Sequence, residues 1–371
     1  MTRPVLIAIL AALLFGAASP AGKFLLGSFS PFQLAGLLYL GAAAGLLLPL
    51  LARGKQTNLP WLMAKKSFLR LAGAIAFGGI IAPVCLLFSL ALASATSVSI
   101  WLTLESIFTA VLAIVFFKEH LGVKGWGSVL GCTAASVLLS LNAGTSGLQA
   151  GLLAALACLG WAIDNNLTAL IDGMTPQEIA FWKGAVAGVV NLTIGLCLTP
   201  FHPTAPAVFW GLAVGALSYG VSLVLYISAA QTLGAMRSQL IFATAPWWGV
   251  ALSILCLHES ASPQQIVAAL IFAGSIALLF LEQHSHGHRH EQLAHIHMHS
   301  HDDHHHNHVH EDLPAAVRHS HWHQHEALSH SHHHWPDLHH RHEHAQDYEH
   351  AHDHEHEHDH DDKPELTDQQ T

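Results

Sequence analysis

The sequence predicts an all-α integral membrane protein in which ten transmembrane helices form two inverted five-helix repeats, followed by a disordered, histidine-rich cytoplasmic tail. Three observations predict this fold class: few charged residues, an internal repeat of long apolar stretches, and an abrupt change of composition near residue 283. Hydrophobic residues make up 51% of the chain and charged residues only 11%, whereas soluble domains carry about 25% charged residues. A membrane protein is therefore expected.

The repeat is clearest between residues 97–141 and 237–281. Each copy has an apolar stretch, a short polar break and a second apolar stretch, and Glu119 and Glu259 lie at the same point, 140 residues apart. A repeat this long and this apolar is typical of a duplicated membrane unit. We therefore divide the chain into a first repeat at 1–141, a second repeat at 142–283 and a tail at 284–371.

Apolar stretches long enough to cross about 30 Å of hydrocarbon define the predicted spans. Each must be helical, because lipid offers no partners to backbone polar groups. The first stretch has features of a signal peptide, but residues 15–18 correspond to 159–162 in the second half, so we count it as a span. The ten spans lie near residues 4–26, 31–52, 68–93, 97–117, 122–141, 148–171, 176–199, 206–232, 235–257 and 264–281.

The odd number of spans in each half predicts opposite orientations for the two halves, which is an inverted repeat. Basic residues concentrate in alternate loops, around 53–70, 118–124 and 237, while the intervening loops at 94–96, 142–147 and 199–205 have none. Because basic loops stay in the cytoplasm, both termini are predicted to be cytoplasmic, in the inner membrane of the cell. Pairs such as Gly184-xxx-Gly188 predict close helix packing.

Several short stretches resemble EamA-type members of the drug/metabolite transporter superfamily, over about residues 4–282. They are LFGAASPAGK at 14–23, SPF at 30–32, ALASATS at 91–97, FKEHL at 117–121, and the Ala-Pro and His-Glu pairs at 245–246 and 258–259. The resemblance implies a ten-helix secondary transporter of small solutes, often an exporter, without implying a substrate.

Two departures from the family pattern concern the region that would face the substrate. The family usually has a proline at the point where the first half has Glu105-Ser106; the second half keeps this proline as Pro246. In the second span, Tyr39 lies in a region where many members carry arginine. A few exporters of this superfamily are associated with nickel and cobalt resistance, which bears on the histidine-rich tail.

Ionisable residues within spans are candidates for binding substrate or a coupling ion, because a charge in hydrocarbon costs at least a few kcal/mol. Glu105 lies near the middle of the fourth span, and it either binds a cation or proton or is a neutral carboxyl bonded to a neighbouring helix. Asp164 and Lys183 are expected to meet between adjacent antiparallel helices, as a structural ion pair or as a coupling pair. Asn165 extends this polar track, and Lys23, which is predicted toward the outside, completes the candidates.

The tail carries all but three of the 34 histidines, many in alternating His-x-His runs mixed with Asp and Glu. It has no apolar periodicity and is predicted to be disordered. Neutral imidazole suits Ni²⁺, Co²⁺, Zn²⁺ and Cu²⁺, and the absence of Cys in the tail disfavours Cu⁺. Binding should weaken as the pH falls through about 6.5. The candidate metal ligands are His284, His286, His288, His290, His295, His297, His299, His301, His304, His305, His306, His308, His310, His352, His354, His356, His358 and His360.

Three functions remain open from the sequence. The first is efflux of divalent transition metal, nickel or cobalt and then zinc, by alternating access. The second is export of an organic metabolite, amino acid or drug, with the tail buffering or sensing metal; the scarcity of His, Cys and Met at span centres favours it. The third is a membrane-anchored metal reservoir without transport.

The partners expected from the sequence are membrane lipid and a small-molecule or metal-ion substrate. The sequence has no catalytic constellation and no phosphate-binding loop, so we expect no enzyme activity and no required cofactor beyond the metal bound by the tail. Nucleic acid is not an expected partner. The oligomeric state stays open, with a homodimer as one option.

Overall fold

The computed structural model describes most of the apolar part of the chain and four segments of the tail. The described ranges are 2–52, 60–117, 123–141, 144–171, 174–233, 238, 241–280, 285–290, 293–299, 319–325 and 328–333.

Helices account for nearly all of the described residues up to 280. Two π-helical segments join consecutive α-helices: the first π segment is Ile75–Ile81 and the second π segment is Gly215–Val221. A short 3₁₀ turn lies at Pro60–Leu62. The α-helices are α1 Thr2–Gly16, α2 Ala18–Leu25, α3 Pro31–Ala52, α4 Lys65–Ala74, α5 Ala82–Leu92, α6 Ala95–Trp101, α7 Leu104–Phe117, α8 Val123–Leu141, α9 Gly144–Thr168, α10 Pro176–Leu198, α11 Ala205–Val214, α12 Ser222–Leu233, α13 Ala245–Leu257 and α14 Pro263–Phe280.

Seven helical stretches are long and apolar enough to cross a membrane. They correspond to the predicted spans one to four and six to eight, since α1–α2, α4–α5, α6–α7 and α11–α12 each run as one stretch. Three shorter apolar helices, Val123–Leu139, Ala245–Leu257 and Pro263–Leu278, occupy the predicted spans five, nine and ten. The multi-pass membrane character is confirmed, and the total of ten crossings stays a prediction.

Glycines let α3 and α10 pack backbone to backbone across the two halves. A side chain at Gly188 would meet the Leu40 backbone nitrogen at 2.7 Å, and one at Gly184 would meet the Tyr39 carbonyl oxygen at 2.9 Å. The close approach predicted from Gly184-xxx-Gly188 is thus confirmed. In lipid such contact supplies the packing energy that water expulsion supplies elsewhere.

Contacts between helix ends define the two ends of the bundle. At one end, which we call the far end, the ends of α2 and α5 meet through Lys23 and Ala93. At the other, which we call the tail end because α14 leads from it into the tail, Arg70 donates to the Leu170 carbonyl. Which end faces the cytoplasm stays a prediction from the basic loops.

The described tail segments are four strands, β1 Ser285–His290, β2 Leu293–His299, β3 His319–His325 and β4 Leu328–His333. They form two antiparallel pairs, β1 with β4 and β2 with β3. These four segments are therefore strands, while disorder of the tail as a whole stays a prediction. The His-x-His spacing matches the two-residue period of a strand, and ladder hydrogen bonds satisfy the backbone without an apolar core.

Candidate transport site

The first π segment presents backbone carbonyls to three neighbouring helices. A π turn shifts the hydrogen-bond pattern of a helix and frees a carbonyl for other donors. The Gly78 oxygen accepts from the Tyr39 hydroxyl at 2.5 Å and from Trp161 Nε1 at 3.0 Å. The Gly79 oxygen accepts from Asn191 Nδ2 at 3.0 Å. These polar bonds join α3, α9 and α10 to the segment at one level of the bundle.

An ion pair lies against the same segment. Lys183 Nζ lies 2.5 Å from Asp164 Oδ2, and Asp164 Oδ1 accepts from the Thr168 hydroxyl at 3.0 Å. A side chain at Gly78 would overlap the Asp164 carboxylate, and one at Gly79 would meet the Lys183 chain at 3.2 Å. The two glycines therefore provide the space that the ion pair occupies, and the predicted meeting of Asp164 with Lys183 is confirmed.

Glu105 lies at the start of α7, where the fourth predicted span is interrupted. The helix stops at Trp101, and the Thr103 hydroxyl donates to the Ile100 carbonyl at 2.7 Å before α7 begins. Glu105 Oε1 accepts from Asn165 Nδ2 at 2.9 Å. Glu105 is half-buried and lies within electrostatic range of Asp164 and Lys183.

Aromatic rings extend the site toward α1 and the second half. Tyr219, in the second π segment, lies 5.8 Å from Tyr39 and 5.7 Å from Phe15 between ring centroids. Phe15 in turn lies 5.2 Å from Phe242. Glu105 is within electrostatic range of Tyr219. We call Tyr39, Glu105, Asp164, Asn165, Lys183 and Tyr219 the central cluster; it combines carboxylates, an ammonium, an amide and aromatic rings.

The structure thus brings together four of the five predicted substrate or coupling candidates and separates the fifth. Lys23 lies at the far end, where Nζ donates to the carbonyls of Leu90 at 2.6 Å and Ala93 at 2.9 Å. Asn166 and Asn191 also lie on this track, but each bonds backbone carbonyls between helices. The transport roles of the four clustered residues stay predictions.

Sequence reasoning missed the importance of Gly78 and Gly79, and it recorded Tyr39 only as a departure from the family pattern. The adjacent glycines in an otherwise bulky apolar span were the one available signal, because glycine in a helix marks close approach of another group. Cys158 is fully buried, and its thiol points at the Trp101 carbonyl, 3.6 Å away at the interruption of the span.

No group of three or more His, Cys, Asp or Glu arranged to hold a metal ion occurs among the residues that the structure describes. Six predicted ligands, at 286, 288, 290, 295, 297 and 299, lie in β1 and β2, and the register sets His286 opposite His332 and His297 opposite His321. The other predicted ligands lie outside the described residues: His284, His301, His304, His305, His306, His308, His310, His352, His354, His356, His358 and His360.

Comparison with known proteins gives a family and a fold. The model of the EamA-like transporter family matches residues 2–141 and again residues 148–281, one match for each half. No curated protein matches the chain. One crystal structure of a protein superposes with a TM-score of 0.55 at 17% identity, covering 76% of this chain and 98% of that chain. At this identity the likeness shows the fold alone.

Proposed function

This chain belongs to the EamA-like transporter family, and from that membership we propose that it is a secondary-active exporter of cations. Divalent transition metal ions are the first candidate cargo, nickel and cobalt before zinc. The observation that carries the preference for cations is Glu105, a carboxylate at a helix interruption that bonds the neutral amide of Asn165.

The charge balance of the central cluster favours a positive cargo. Asp164 is paired with Lys183, so these two charges offset each other. Glu105 bonds the Asn165 amide instead, and within the part of the chain that the structure describes it forms no ion pair. Such a carboxylate among apolar helices costs several kcal/mol, and a bound cation or proton offsets that cost.

The tail supports transition metal as the cargo. Alternating histidines concentrate metal ions near the tail end of the bundle, and Asp and Glu between them add oxygen ligands. With the tail on the cytoplasmic side, as the basic loops predict, this is the side from which an exporter loads. The tail has no span of its own, so its role is to concentrate, buffer or sense metal.

Alternating access supplies the mechanism in this proposal. Inverted repeats hold a site near the middle of the membrane while one half moves against the other. The central cluster draws Tyr39 and Glu105 from the first half and its other four residues from the second. Because both halves contribute, their relative motion exposes the site first to one face and then to the other, with protons as the proposed driving ion.

An organic cation is the second candidate cargo, and the aromatic rings favour it. Tyr39, Tyr219, Phe15 and Phe242 form a continuous row, and Tyr219 lies within electrostatic range of Glu105. Aromatic faces bind ammonium groups by cation–π attraction, worth about 0.5–2 kcal/mol per contact. The lack of a three-ligand metal group in the described part of the chain favours it as well. In that case the tail buffers or senses metal.

Efflux of radiolabelled nickel, cobalt and zinc tests the proposal. Cells with the full chain should retain less metal than cells without it, and Glu105→Gln should abolish the difference. Glu178→Gln is the matched control, because Glu178 caps its own helix by accepting from the Thr175 backbone N–H at 2.7 Å. Equal metal retention in all strains would contradict metal cargo, and export of organic ammonium compounds would then be measured in the same strains.

Deleting residues 284–371 separates the pore from the tail. If the tail concentrates metal at the loading side, the deletion should reduce export at low metal concentration and leave the maximal rate unchanged. A deletion that leaves export unchanged at every concentration would contradict this role.

A further inference from the structure

The start of α6 at the far end is held by a carboxylate from the other half of the protein. Glu259 Oε1 accepts from the Ala95 backbone N–H at 2.9 Å, and Oε2 accepts from the Thr96 N–H at 2.8 Å. These N–H groups have no partner within the helix, and the negative charge also complements the positive end of α6. Glu259 follows α13 in the second half, whereas α6 belongs to the first half.

Gln265, another residue of the second half, forms hydrogen bonds to the same turn. Gln265, in the first turn of α14, donates from Nε2 to the Ser97 hydroxyl at 2.8 Å and to the Ser94 hydroxyl at 3.3 Å. Its own Oε1 accepts from the Ser262 N–H at 2.7 Å, which orients the amide. The second half therefore holds the start of α6 at two points, from the loop after α13 and from the first turn of α14.

The end of α5, just before this turn, is held by a lysine of the first half. Lys23 Nζ donates to the Leu90 and Ala93 carbonyls. Lys23, α5 and α6 all belong to the first half, so this contact does not depend on Glu259 or Gln265. The end of α5 and the start of α6 thus have different partners on the two sides of the turn: Lys23, together with a bond from Ser89 to the Ala150 carbonyl of α9, on one side, and Glu259 and Gln265 on the other.

Three buried polar atoms on α6 have no hydrogen-bond partner among the described residues. They are Thr96 Oγ1, Ser99 Oγ and Trp101 Nε1, on side chains that are at most 1% exposed. Ser99 faces Gly249 of α13, where an added side chain would meet Ser99 Oγ at 2.6 Å. Burying polar atoms without hydrogen-bond partners is unfavourable, so other contacts must hold α6 in this packed position. Water that reached these atoms would remove this desolvation cost.

We propose that α6 is a gate at the far end of the transporter, hinged at the interruption at Leu102–Thr103 and latched shut by Glu259 and Gln265. When the latch releases, α6 moves away from α13 and its buried polar atoms become hydrated, which opens a path toward Glu105. The inference rests on the chain being a transporter and not on the identity of the cargo.

Thiol labelling at Ser99→Cys tests the gate without knowledge of the cargo. The variant is made in a background with the two exposed native cysteines replaced, Cys197→Ala and Cys256→Ala. A membrane-impermeant maleimide is applied to intact cells and to everted vesicles, so that both faces are sampled. The full chain should label slowly and from one face, and adding Glu259→Gln should accelerate labelling at least tenfold from that face.

Glu178→Gln is again the matched control, because this carboxylate caps a helix within one half. It should leave the labelling rate within twofold. An unchanged rate in Glu259→Gln, or an equal acceleration in both variants, would overturn the gate. If Glu259→Gln fails to fold by size-exclusion chromatography, Gln265→Leu takes its place with an expected acceleration of at least threefold, and no acceleration there would overturn the proposal as well.

Discussion

The two halves share their backbone irregularities but differ in the side chains placed on them. The π segments Ile75–Ile81 and Gly215–Val221 lie 140 residues apart, the spacing of the repeat itself. Both halves also interrupt a helix with the same bond, since the Thr103 and Thr244 hydroxyls donate to the Ile100 and Ile241 carbonyls. Two residues after each threonine, the first half has Glu105 and the second has Pro246.

Both halves thus keep the same backbone irregularities, while the polar contacts that the structure describes concentrate on the first π segment. The first π segment carries Gly78 and Gly79, whose carbonyls bind three helices and whose lack of side chains admits the Asp164–Lys183 pair. The second carries Ser218 and Tyr219 at the matching positions. Matched variants in the two halves can therefore separate conformational roles from chemical ones.

The largest effect is expected where a buried charge loses its partner. Asp164→Asn removes the carboxylate that is bonded to the Lys183 ammonium at the first π segment, and breaking a buried pair costs about 3–5 kcal/mol. Thermal unfolding in detergent measures the loss. The double variant Asp164→Asn with Lys183→Met should recover most of the stability, and a double variant no better than the single would contradict an electrostatic cause.

Next in size is the loss of the unpaired carboxylate. Glu105→Gln retains shape and a bond to Asn165 but removes the charge that a cation would bind, and bonds to charged groups are worth about 1.5–3 kcal/mol. Transport of the best cation substrate should fall about 10–100-fold with unchanged protein level. Pro246→Ala at the matching point of the second half should change transport less, and the reverse order would contradict the assignment of chemistry to the first half.

A moderate effect is expected from filling the space on the first π segment. Gly78→Ala places a methyl group against the Asp164 carboxylate, and overpacking of this kind costs about 1–3 kcal/mol. Ser218→Ala at the matching point of the second π segment adds no bulk and should cost less. Thermal unfolding of both variants checks the difference.

The smallest effect is expected at the end of α13. His258 has a φ of 54°, in the left-handed region, and the Glu259 N–H approaches the Ser253 carbonyl six residues back. Glycine adopts this conformation without the steric cost paid by histidine, so His258→Gly should stabilise the protein by about 0.5–1 kcal/mol. The control is His202→Gly, outside the left-handed region, which should not stabilise.

Hydropathy was sufficient to predict where the helices lie, because every backbone group in hydrocarbon must be bonded within its own helix. The meeting of Asp164 with Lys183 also followed from the sequence, since consecutive antiparallel helices place residues near their shared end together. The π segments could not be predicted from the sequence, because a shift in the backbone hydrogen-bond pattern does not change the hydropathy of the stretch. Nor were the strands of the tail predicted, where an extended, histidine-alternating pattern was interpreted as disorder.

The sequence by itself determined the membrane class, the duplicated halves and the family, since these depend on length, hydropathy and pattern along the chain. Only the tertiary structure decided which polar residues act together. Lys23 and Glu105 are both charged groups in or near spans of the first half, yet one holds the carbonyls at the end of α5 and the other lies in the central cluster. The reason is that an ionisable group among helices takes its role from the partners that packing brings to it, and those come from distant parts of the chain.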